Sequence, residues 1–424
     1  YGLVGSEMCI RDSSMTMESG NISAVRETPD SNGQYGVGVT DGGDFTMTGG
    51  KIEAGWFAVA GNGNYKTQNS IINITDGELI STADYAVYLP QSGTTTISGG
   101  KVYGAAGGVC IQRGTLNVEG TALITSKGTG STGNWGDGTG GLDCAAINVS
   151  GAYGIATVNI KGGTLIAEAK SLITEGTTYT PVINVTGGTF SDPSVLKYMA
   201  TNATVDIKLL SNINIAKTEL ATGYILNAAN ATANLNLNGH DIINSSETAD
   251  ATPFTQIFTV QNGTLNISGN GNVKCDASAT AKDDGYRMVI EARGYGTVNI
   301  HGGSYYNTQK LNTQIDLIYA RENGKINIYG GTFESGKYGT PNNDTDGRYW
   351  VLNLKNTDKN TASIQVSGGT FINFNPANPN MDDNESYLVT GYEVTRDGSV
   401  YTAAHKVGDG RKEYIVGQTS QENR

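Results

Sequence analysis

The sequence has little proline, few charged residues and no long apolar run. Only 8 of its 424 residues are proline, and only 16% are charged. The low proline content and the lack of a Gly-X-Y period exclude a collagen-like triple helix. No stretch of about 18 consecutive apolar residues is present, so we predict no membrane-spanning helix. Because β-branched and aromatic residues recur throughout, the composition is atypical of a disordered chain.

Glycine, in contrast, is abundant, with 59 residues, about twice its usual share of ~7%. Glycine, asparagine and threonine are poor helix formers, so this composition disfavours a helical bundle. It favours an all-β chain with many turns. The formal net charge of −12 disfavours nucleic acid as a partner, because nucleic-acid binding requires a basic surface.

The four cysteines, Cys9, Cys110, Cys144 and Cys275, include no CxxC pair and no cluster with histidine. This spacing disfavours a zinc site, and we predict neither a metal nor a cofactor. Cysteines inside apolar stretches such as GVCIQ are typical of small core residues.

Residues 3–13 read LVGSEMCIRDS, which resembles the translation of a sequencing adapter. We therefore expect residues 1–13 to be an artefact of a metagenomic sequence, with no place in the native fold. Under this interpretation the native N-terminus is missing, and a signal peptide is not observable.

A glycine-pair motif, apolar-x-apolar-x-Gly-Gly-x-apolar, recurs along the chain. The seven clear copies end at Ile52, Val102, Leu165, Phe190, Tyr305, Phe333 and Phe371. Neighbouring copies are about 20 to 30 residues apart, and such a period with only short strands and Gly/Asn turns favours a parallel β-helix over Leu-rich or helical repeats. In VNIKGG, Val158 and Ile160 are predicted to point inward and Asn159 outward, as the period of two in a strand requires.

A further short apolar stretch precedes the glycine-pair strands, as in AVYLPQSG, GVCIQRG, MVIEARG and LIYARENG. One coil is therefore predicted to run strand, Asn/Gly turn, strand, Gly-Gly turn, strand. The segment from Tyr392 to Thr402 predicts a β-hairpin with a type I′ turn at Asp397-Gly398. Such a hairpin would cap an open end of the solenoid, where strand edges are otherwise unpaired.

These features resemble the right-handed, pectin-lyase-like parallel β-helix proteins of gut bacteria and their phages. The resemblance rests on the GGTF copies and on the segments Leu209 to Ile242 and Gly368 to Ala403, and it covers nearly all of residues 14–405. It implies an all-β, right-handed parallel β-helix with three short strands per coil and a C-terminal β-hairpin cap. The expected units are a first module at 14–190, a junction at 191–208, a second module at 209–372, the cap at 373–405 and a polar tail at 406–424.

The catalytic motifs of enzymes with this fold are not found in the sequence. Polygalacturonase-like hydrolases need clustered aspartates with a histidine and a basic pair, and only NGHD at Asn238 to Asp241 comes near this pattern. Pectate-lyase-like sites need stacked acidic residues for calcium and an arginine base, and no convincing acidic ladder is present. We therefore predict a protein that is not an enzyme, with a polysaccharide lyase or glycoside hydrolase of unrecognised site as the alternative.

One tract of the second module combines aligned charges with tyrosines. Arg293 and Arg321 each stand seven residues before a strand end, so they are predicted to occupy the same place on adjacent coils. Glu291 and Tyr319 are predicted to align in the same way. Tyrosine and arginine suit the rings and hydroxyls of sugars, and the alternative is an ion ladder that only keeps the sheet soluble. The predicted carbohydrate-binding residues of this tract are Glu291, Arg293, Tyr295, Tyr305, Tyr319, Arg321, Glu322 and Tyr329.

A second candidate is the insertion from Lys127 to Asp143, which enlarges one coil and carries Trp135. Long loops on solenoids often carry binding residues, so Trp135 is included among the predicted carbohydrate contacts. The alternative is a loop without function.

Together these observations predict an extracellular scaffold at a cell or virion surface, adhesin-like or phage tail-fibre-like. Its expected partner is a polysaccharide or a cell-surface glycan. A purely structural spacer is the second alternative.

Overall fold

A computed structural model describes residues 2–4, 8–25, 34–63, 68–128, 144–168, 171–215, 223–244, 254–275, 286–307, 315–335, 349–379 and 385–406. Over these residues the regular secondary structure is almost entirely β-strand, and the strands pair mainly in parallel. Short 3-10 helices lie at Pro193–Tyr198 and Asn356–Asp358. No described helix combines the length and the apolar character that crossing a membrane requires.

The strands of the first half of the chain, up to Phe190, are β1 (Gly2–Val4), β2 (Met8–Arg11), β3 (Ser14–Met17), β4 (Asn21–Ala24), β5 (Tyr35–Thr40), β6 (Asp44–Ala54), β7 (Phe57–Ala60), β8 (Ser70–Ser81), β9 (Tyr85–Leu89), β10 (Gly93–Ile97), β11 (Lys101–Gly104), β12 (Gly107–Ile111), β13 (Gly114–Val118), β14 (Leu123–Ser126), β15 (Ala145–Val149), β16 (Ala156–Ile160), β17 (Thr164–Ala167), β18 (Ser171–Glu175), β19 (Val182–Val185) and β20 (Thr189–Phe190).

The strands of the second half are β21 (Thr204–Lys208), β22 (Ile213–Ile215), β23 (Tyr224–Asn236), β24 (Ile242–Asn244), β25 (Phe254–Ser268), β26 (Asn272–Cys275), β27 (Tyr286–Ile300), β28 (Ser304–Asn307), β29 (Ile315–Ala320), β30 (Lys325–Ile328), β31 (Thr332–Ser335), β32 (Tyr349–Leu354), β33 (Ser363–Val366), β34 (Gly369–Ile372), β35 (Tyr392–Asp397) and β36 (Val400–His405).

Each repeat contributes an upstream strand, a pre-glycine strand that ends at the glycine pair, and a post-glycine strand that follows it. In the first half one repeat consists of β9, β10 and β11, and in the second half one consists of β29, β30 and β31. Some strands span two of these positions: β6 and β8 contain pre- and post-glycine segments, and β23, β25 and β27 contain upstream and pre-glycine segments. The upstream stretches that the sequence predicts lie in β9, β12, β27 and β29.

Among the described residues, the strands form three sheets of 21, 7 and 8 strands. The upstream strands of the first half form the 7-stranded sheet, and the post-glycine strands of the second half, with β35 and β36, form the 8-stranded one. Within each half, the parallel strands pair with the strand at the same position of the neighbouring repeat, so equivalent residues meet, as Asn299 meets Asn327 and Phe333 meets Phe371. The repeat therefore sets the register.

The core runs along the inside of this stack as one cluster from Ile10 to Ala403. Val158 and Ile160 are fully buried, whereas Asn159 is only partly buried and faces outward, which confirms the predicted alternation. Stacked rings fill part of the core: Tyr305 and Phe333 lie 5.1 Å apart between ring centres, and Phe333 and Phe371 lie 5.0 Å apart. The second glycine of each clear pair has a positive φ, for example +87° at Gly303, a conformation that L-residues rarely adopt.

Asparagine side chains form ladders on the outer side of the pre-glycine strands. In the first half, Asn159 donates to Asn117 at 3.0 Å and Asn184 donates to Asn159 at 3.1 Å. In the second half, amide donation links Asp206, Asn234, Asn266, Asn299 and Asn327 in order, at 2.8 to 2.9 Å. Each asparagine inside a ladder keeps one N–H and one oxygen lone pair for a further partner.

Removing a ladder amide should destabilise the stack modestly. Asn299 donates to Asn266 and accepts from Asn327, so Asn299→Ala is expected to lower the free energy of unfolding by about 1 kcal/mol. Urea unfolding followed by circular dichroism measures the change. The matched control is Thr297→Ala on the same strand, and an equal loss in both variants would show that the ladder contributes nothing.

The glycine pair changes face between the two halves. In the first half the post-glycine strands pair in series up to β20, which then pairs with β21 through Thr189 and Asp206. β21 in turn pairs with the pre-glycine segment of β23 through Asp206 and Asn234. The face that carries post-glycine strands in the first half therefore carries pre-glycine strands in the second. Buried Val195, Leu196 and other residues keep the core continuous here.

The C-terminal hairpin closes the edge of the 8-stranded sheet, because β36 pairs antiparallel with β34 and with β35. The predicted type I′ turn at Asp397-Gly398 is wrong. The strands pair as far as Asp397 and Val400, so the two-residue loop is Gly398-Ser399. Positive φ occurs at Gly398 and not at Ser399, as in a type II′ turn, which requires glycine only at its first central position.

Part of the adapter-like segment lies in strands at the N-terminal end. β1 pairs with β4 and β2 pairs with β5, and Ile10 is buried. An open sheet edge offers unpaired backbone groups to any extended segment beside it. The adapter interpretation of residues 1–13 stays a prediction.

Candidate functional site

The register brings the charged residues of the predicted tract together. Glu291 on β27 pairs with Tyr319 on β29, as predicted. The backbone N–H of Arg321 donates to the carbonyl of Ala292 at 3.1 Å, which sets Arg321 beside Arg293 on the neighbouring repeat. The spacing in the sequence was sufficient to predict this alignment.

Glu291 is buried, with 1% of its surface exposed, so it does not contribute to the solvent-facing ion ladder that was the alternative interpretation of this tract. Its Oε1 accepts from Nε of Arg321 at 2.6 Å, and its Oε2 accepts from Nε2 of Gln256 at 2.9 Å. Nε of Arg293 lies 3.8 Å from Oε2. These contacts offset the cost of removing a carboxylate from water, and they occupy both oxygens.

Glu322 and Asp358 extend this network toward solvent. Arg321 donates from Nη1 to Oε1 of Glu322, and the backbone N–H of Gly294 donates to Oε2 of Glu322 at 2.9 Å. The backbone N–H of Glu322 donates to Asp358 at 2.6 Å, and this bond holds the pKa of Asp358 below its ordinary value. We call Glu291, Arg293, Arg321, Glu322 and Asp358 the polar corner.

Tyr319 lies beside the polar corner and is partly buried. Burial and the nearby charge of Asp316 raise the pKa of Tyr319 to about 12. Asp316 is itself buried and accepts from Nδ2 of Asn353 at 2.9 Å. The phenol of Tyr319 is therefore protonated at neutral pH and can donate a hydrogen bond.

Tyr295 is among the most exposed large side chains of the described residues, with 76% of its surface exposed. It follows Arg293 by two residues and begins an outward row on β27. Since residues two apart on a strand face the same side, Thr297, Asn299 and His301 continue this row. Tyr295 is therefore accessible to a ligand, while its role as a carbohydrate contact stays a prediction.

Tyr329 stacks on His301 of the preceding repeat. The ring centres are 4.7 Å apart and the planes differ by 8°, while half of the Tyr329 surface remains exposed. Tyr329 was a predicted carbohydrate contact, whereas His301 was not. The available signal was that both residues stand directly before a glycine pair, on successive repeats.

We call the outward residues from Tyr295 to His301 and from Lys325 to Tyr329 the second-half strip. Its members are Tyr295, Thr297, Asn299, His301, Lys325, Asn327 and Tyr329. His301 is six positions after Tyr295, so the exposed rings of Tyr295 and His301 lie about 20 Å apart at ~3.3 Å per residue. The amide ladder passes between them.

One of the predicted contacts does not belong to this surface. Tyr305 is fully buried, its ring stacks on Phe333, and its hydroxyl donates to the carbonyl of Gly302, so the prediction for Tyr305 is wrong. Tyr305 occupies the position of Phe333 and Phe371 in the repeat, and this position points inward. Trp135 lies outside the described residues.

The second-half strip and the polar corner present rings, amides, hydroxyls and a guanidinium within a few residues of each other. This combination suits a ligand with both apolar C–H faces and many hydroxyls. Across the described ranges, no group of three or more His, Cys, Asp or Glu side chains is placed to hold a metal ion. No family model, no curated protein and no solved structure matches this chain.

Proposed function

We propose that this chain is a right-handed parallel β-helix that binds carbohydrate on its outer surface without catalysing a reaction. Parallel strands at the same repeat position pair in series around one core, which supports a solenoid. Parallel strands joined by crossover connections are right-handed in almost every case, and this supports the handedness.

The observation that carries the proposed function is the second-half strip. Tyr295 and the stacked pair of His301 and Tyr329 expose aromatic faces on either side of the amide ladder. Buried rings are explained by the core, whereas these rings remain accessible, and stacking holds those of His301 and Tyr329 in place. Aromatic faces pack on the C–H face of a sugar while the amides meet its hydroxyls.

The polar corner supports a binding role over a catalytic one. Arg321 and Gln256 occupy both oxygens of Glu291, so this carboxylate is a support for Arg321 and not a ready general acid or base. An extracellular scaffold at a cell or virion surface, adhesin-like or tail-fibre-like, is the setting in which such a solenoid would meet glycans.

The alternative function is a polysaccharide lyase or glycoside hydrolase. It is favoured by one arrangement, in which Tyr319 lies within electrostatic reach of two buried carboxylates, Glu291 and Asp316, and of Arg321. Perturbed groups of this kind cluster at catalytic sites. The second alternative, a structural spacer, predicts no ligand at all.

A glycan array with the full chain and with the variant Tyr295→Ala/Tyr329→Ala tests the proposal. We expect the variant to lose roughly tenfold or more in affinity, which corresponds to about 1.4 kcal/mol. The matched control is Tyr306→Ala, because Tyr306 faces outward on β28 of another sheet. Equal binding by all three proteins would remove the second-half strip as the site.

The same array ligands distinguish the alternatives. Incubation of each bound polysaccharide with the full chain, followed by assay for new reducing or unsaturated ends, is expected to give none. Product formation that Tyr319→Phe abolishes would establish the enzyme. Absence of binding to every glycan would favour the spacer.

A further inference from the structure

The first half carries a second outward surface at the same repeat position. Thr157 and Asn159 on β16 stand at the same distance from their glycine pair as Thr297 and Asn299 do on β27. Ile155, just before β16, stands where Tyr295 stands in the second half. The two surfaces therefore derive from one sequence pattern.

Pairing extends this pattern across several repeats. Ile71, Thr94, Thr115, Thr157 and Val182 form one column of paired residues along the first half. Two residues further along each strand stand Asn73, Thr96, Asn117, Asn159 and Asn184, and the last three are linked by amide hydrogen bonds. We call these two columns, together with Ile155, the first-half strip.

Apolar side chains are exposed on the first-half strip as rings are on the second. Ile71 is 47% exposed, Ile155 is 61% exposed and Val182 is 45% exposed. The nearby charges of Lys161 and Glu119 lie 3.8 Å apart and compensate each other. The strip therefore presents apolar side chains beside a row of hydroxyls and amides. The ion pair of Lys161 and Glu119 adds no net charge to it.

The two strips lie on different faces of the stack. The first-half strip is on pre-glycine strands, whereas the second-half strip is on the face that carried post-glycine strands in the first half. A glycan chain lying along one strip consequently does not continue onto the other.

We propose that the first-half strip binds a second glycan chain, so that one molecule bridges two polysaccharide chains held on different faces. This inference rests on the proposed function, because the second-half strip must itself bind carbohydrate. The occupant is assigned from the shared pattern: the same Thr and Asn columns with exposed apolar side chains at their borders.

Cross-linking of soluble polysaccharides tests the inference. The probes are arabinoxylan, galactomannan, polygalacturonate and gastric mucin, and the readouts are affinity electrophoresis for binding and light scattering for cross-linking. Two variants alter the first-half strip. Ile155→Thr/Val182→Thr keeps the β-branched shape of both side chains, and Thr157→Lys places a long side chain across the strip. The variant of the second-half strip is Tyr295→Ala/Tyr329→Ala. Circular dichroism and sedimentation confirm equal folding and oligomeric state.

We expect the unaltered chain to bind and to cross-link at least one probe. Each single-strip variant should still bind, with affinity for the polymer reduced at least tenfold, and its scattering should fall to background because bivalent attachment is lost. Combining both sets of changes should abolish binding.

Two results overturn the inference in distinguishable ways. If both first-half variants cross-link as well as the unaltered chain, or if the second-half variant alone abolishes all binding, the first-half strip is not a site and the proposed function stands. If the unaltered chain binds none of the four probes and no glycan of the array, the proposed function fails, and the inference fails with it.

Discussion

Replacing Phe333 with alanine is expected to lower the free energy of unfolding by about 3 to 5 kcal/mol. The ring is fully buried and stacks between Tyr305 on one side and Phe371 on the other. Truncation leaves a cavity between two rings whose positions are fixed by strand pairing, so the site has little freedom to collapse. Urea unfolding followed by circular dichroism measures the loss.

Tyr329→Ala provides the matched control for Phe333→Ala. Tyr329 lies on the neighbouring strand of the same repeat, but its ring is half exposed and stacks on a single neighbour, His301. We expect it to cost less than about 1 kcal/mol. A loss at Phe333 no larger than the loss at Tyr329 would mean that the inner aromatic stack does not hold the repeats together.

Replacing Glu291 with alanine is expected to cost about 3 kcal/mol, since one partner of a buried ion pair is removed while the other stays. The amide of Gln256 and the guanidinium of Arg321 both lose their acceptor. A quarter of the Arg321 side chain is exposed, so water can accept hydrogen bonds from part of its guanidinium after the substitution. The cost therefore falls at the low end of the range for buried pairs. Chemical denaturation of Glu291→Ala against the unaltered chain checks this value.

A double-mutant cycle with Arg321→Ala separates the ion pair from other effects. If the pair is coupled, the double variant is less destabilised than the sum of the two single variants, with a coupling of about 1 to 3 kcal/mol. Arg293→Ala is the control, because its Nε is 3.8 Å from the carboxylate and a weaker coupling is expected. Additive single effects at Glu291 and Arg321 would contradict a structural role for the pair.

The repeat made much of this architecture predictable. A glycine pair at a regular interval defines equivalent positions, and parallel pairing of equivalent positions then aligns Glu291 with Tyr319 and Arg293 with Arg321. The inward direction of Tyr305 could have been predicted in the same way, from the phenylalanines at its position in later repeats. These features follow from spacing alone because equivalent residues of neighbouring repeats pair with each other.

Burial on the outer side of the strands was not predictable. Glu291 lies on β27 between Ile290 and Ala292, which belong to the core, so a period of two assigns its side chain to the outer side of the strand. Its burial depends on what covers that side, which the repeat does not specify. For the same reason the sequence could propose Glu291 as a ligand contact but could not show that Arg321 and Gln256 occupy its oxygens.

The sequence by itself determined the all-β class, the repeat, the register between repeats and which ladder residues point outward, because each depends on a short period that neighbouring residues enforce. Only the tertiary structure decided on which face each strip lies. The glycine-pair motif has the same internal spacing in both halves, so it does not predict that the pre-glycine strands lie on a different face in the second half. Pairing of β20 with β21 and of β21 with β23 decides it, because strand partners far apart in sequence are chosen by packing around the common core.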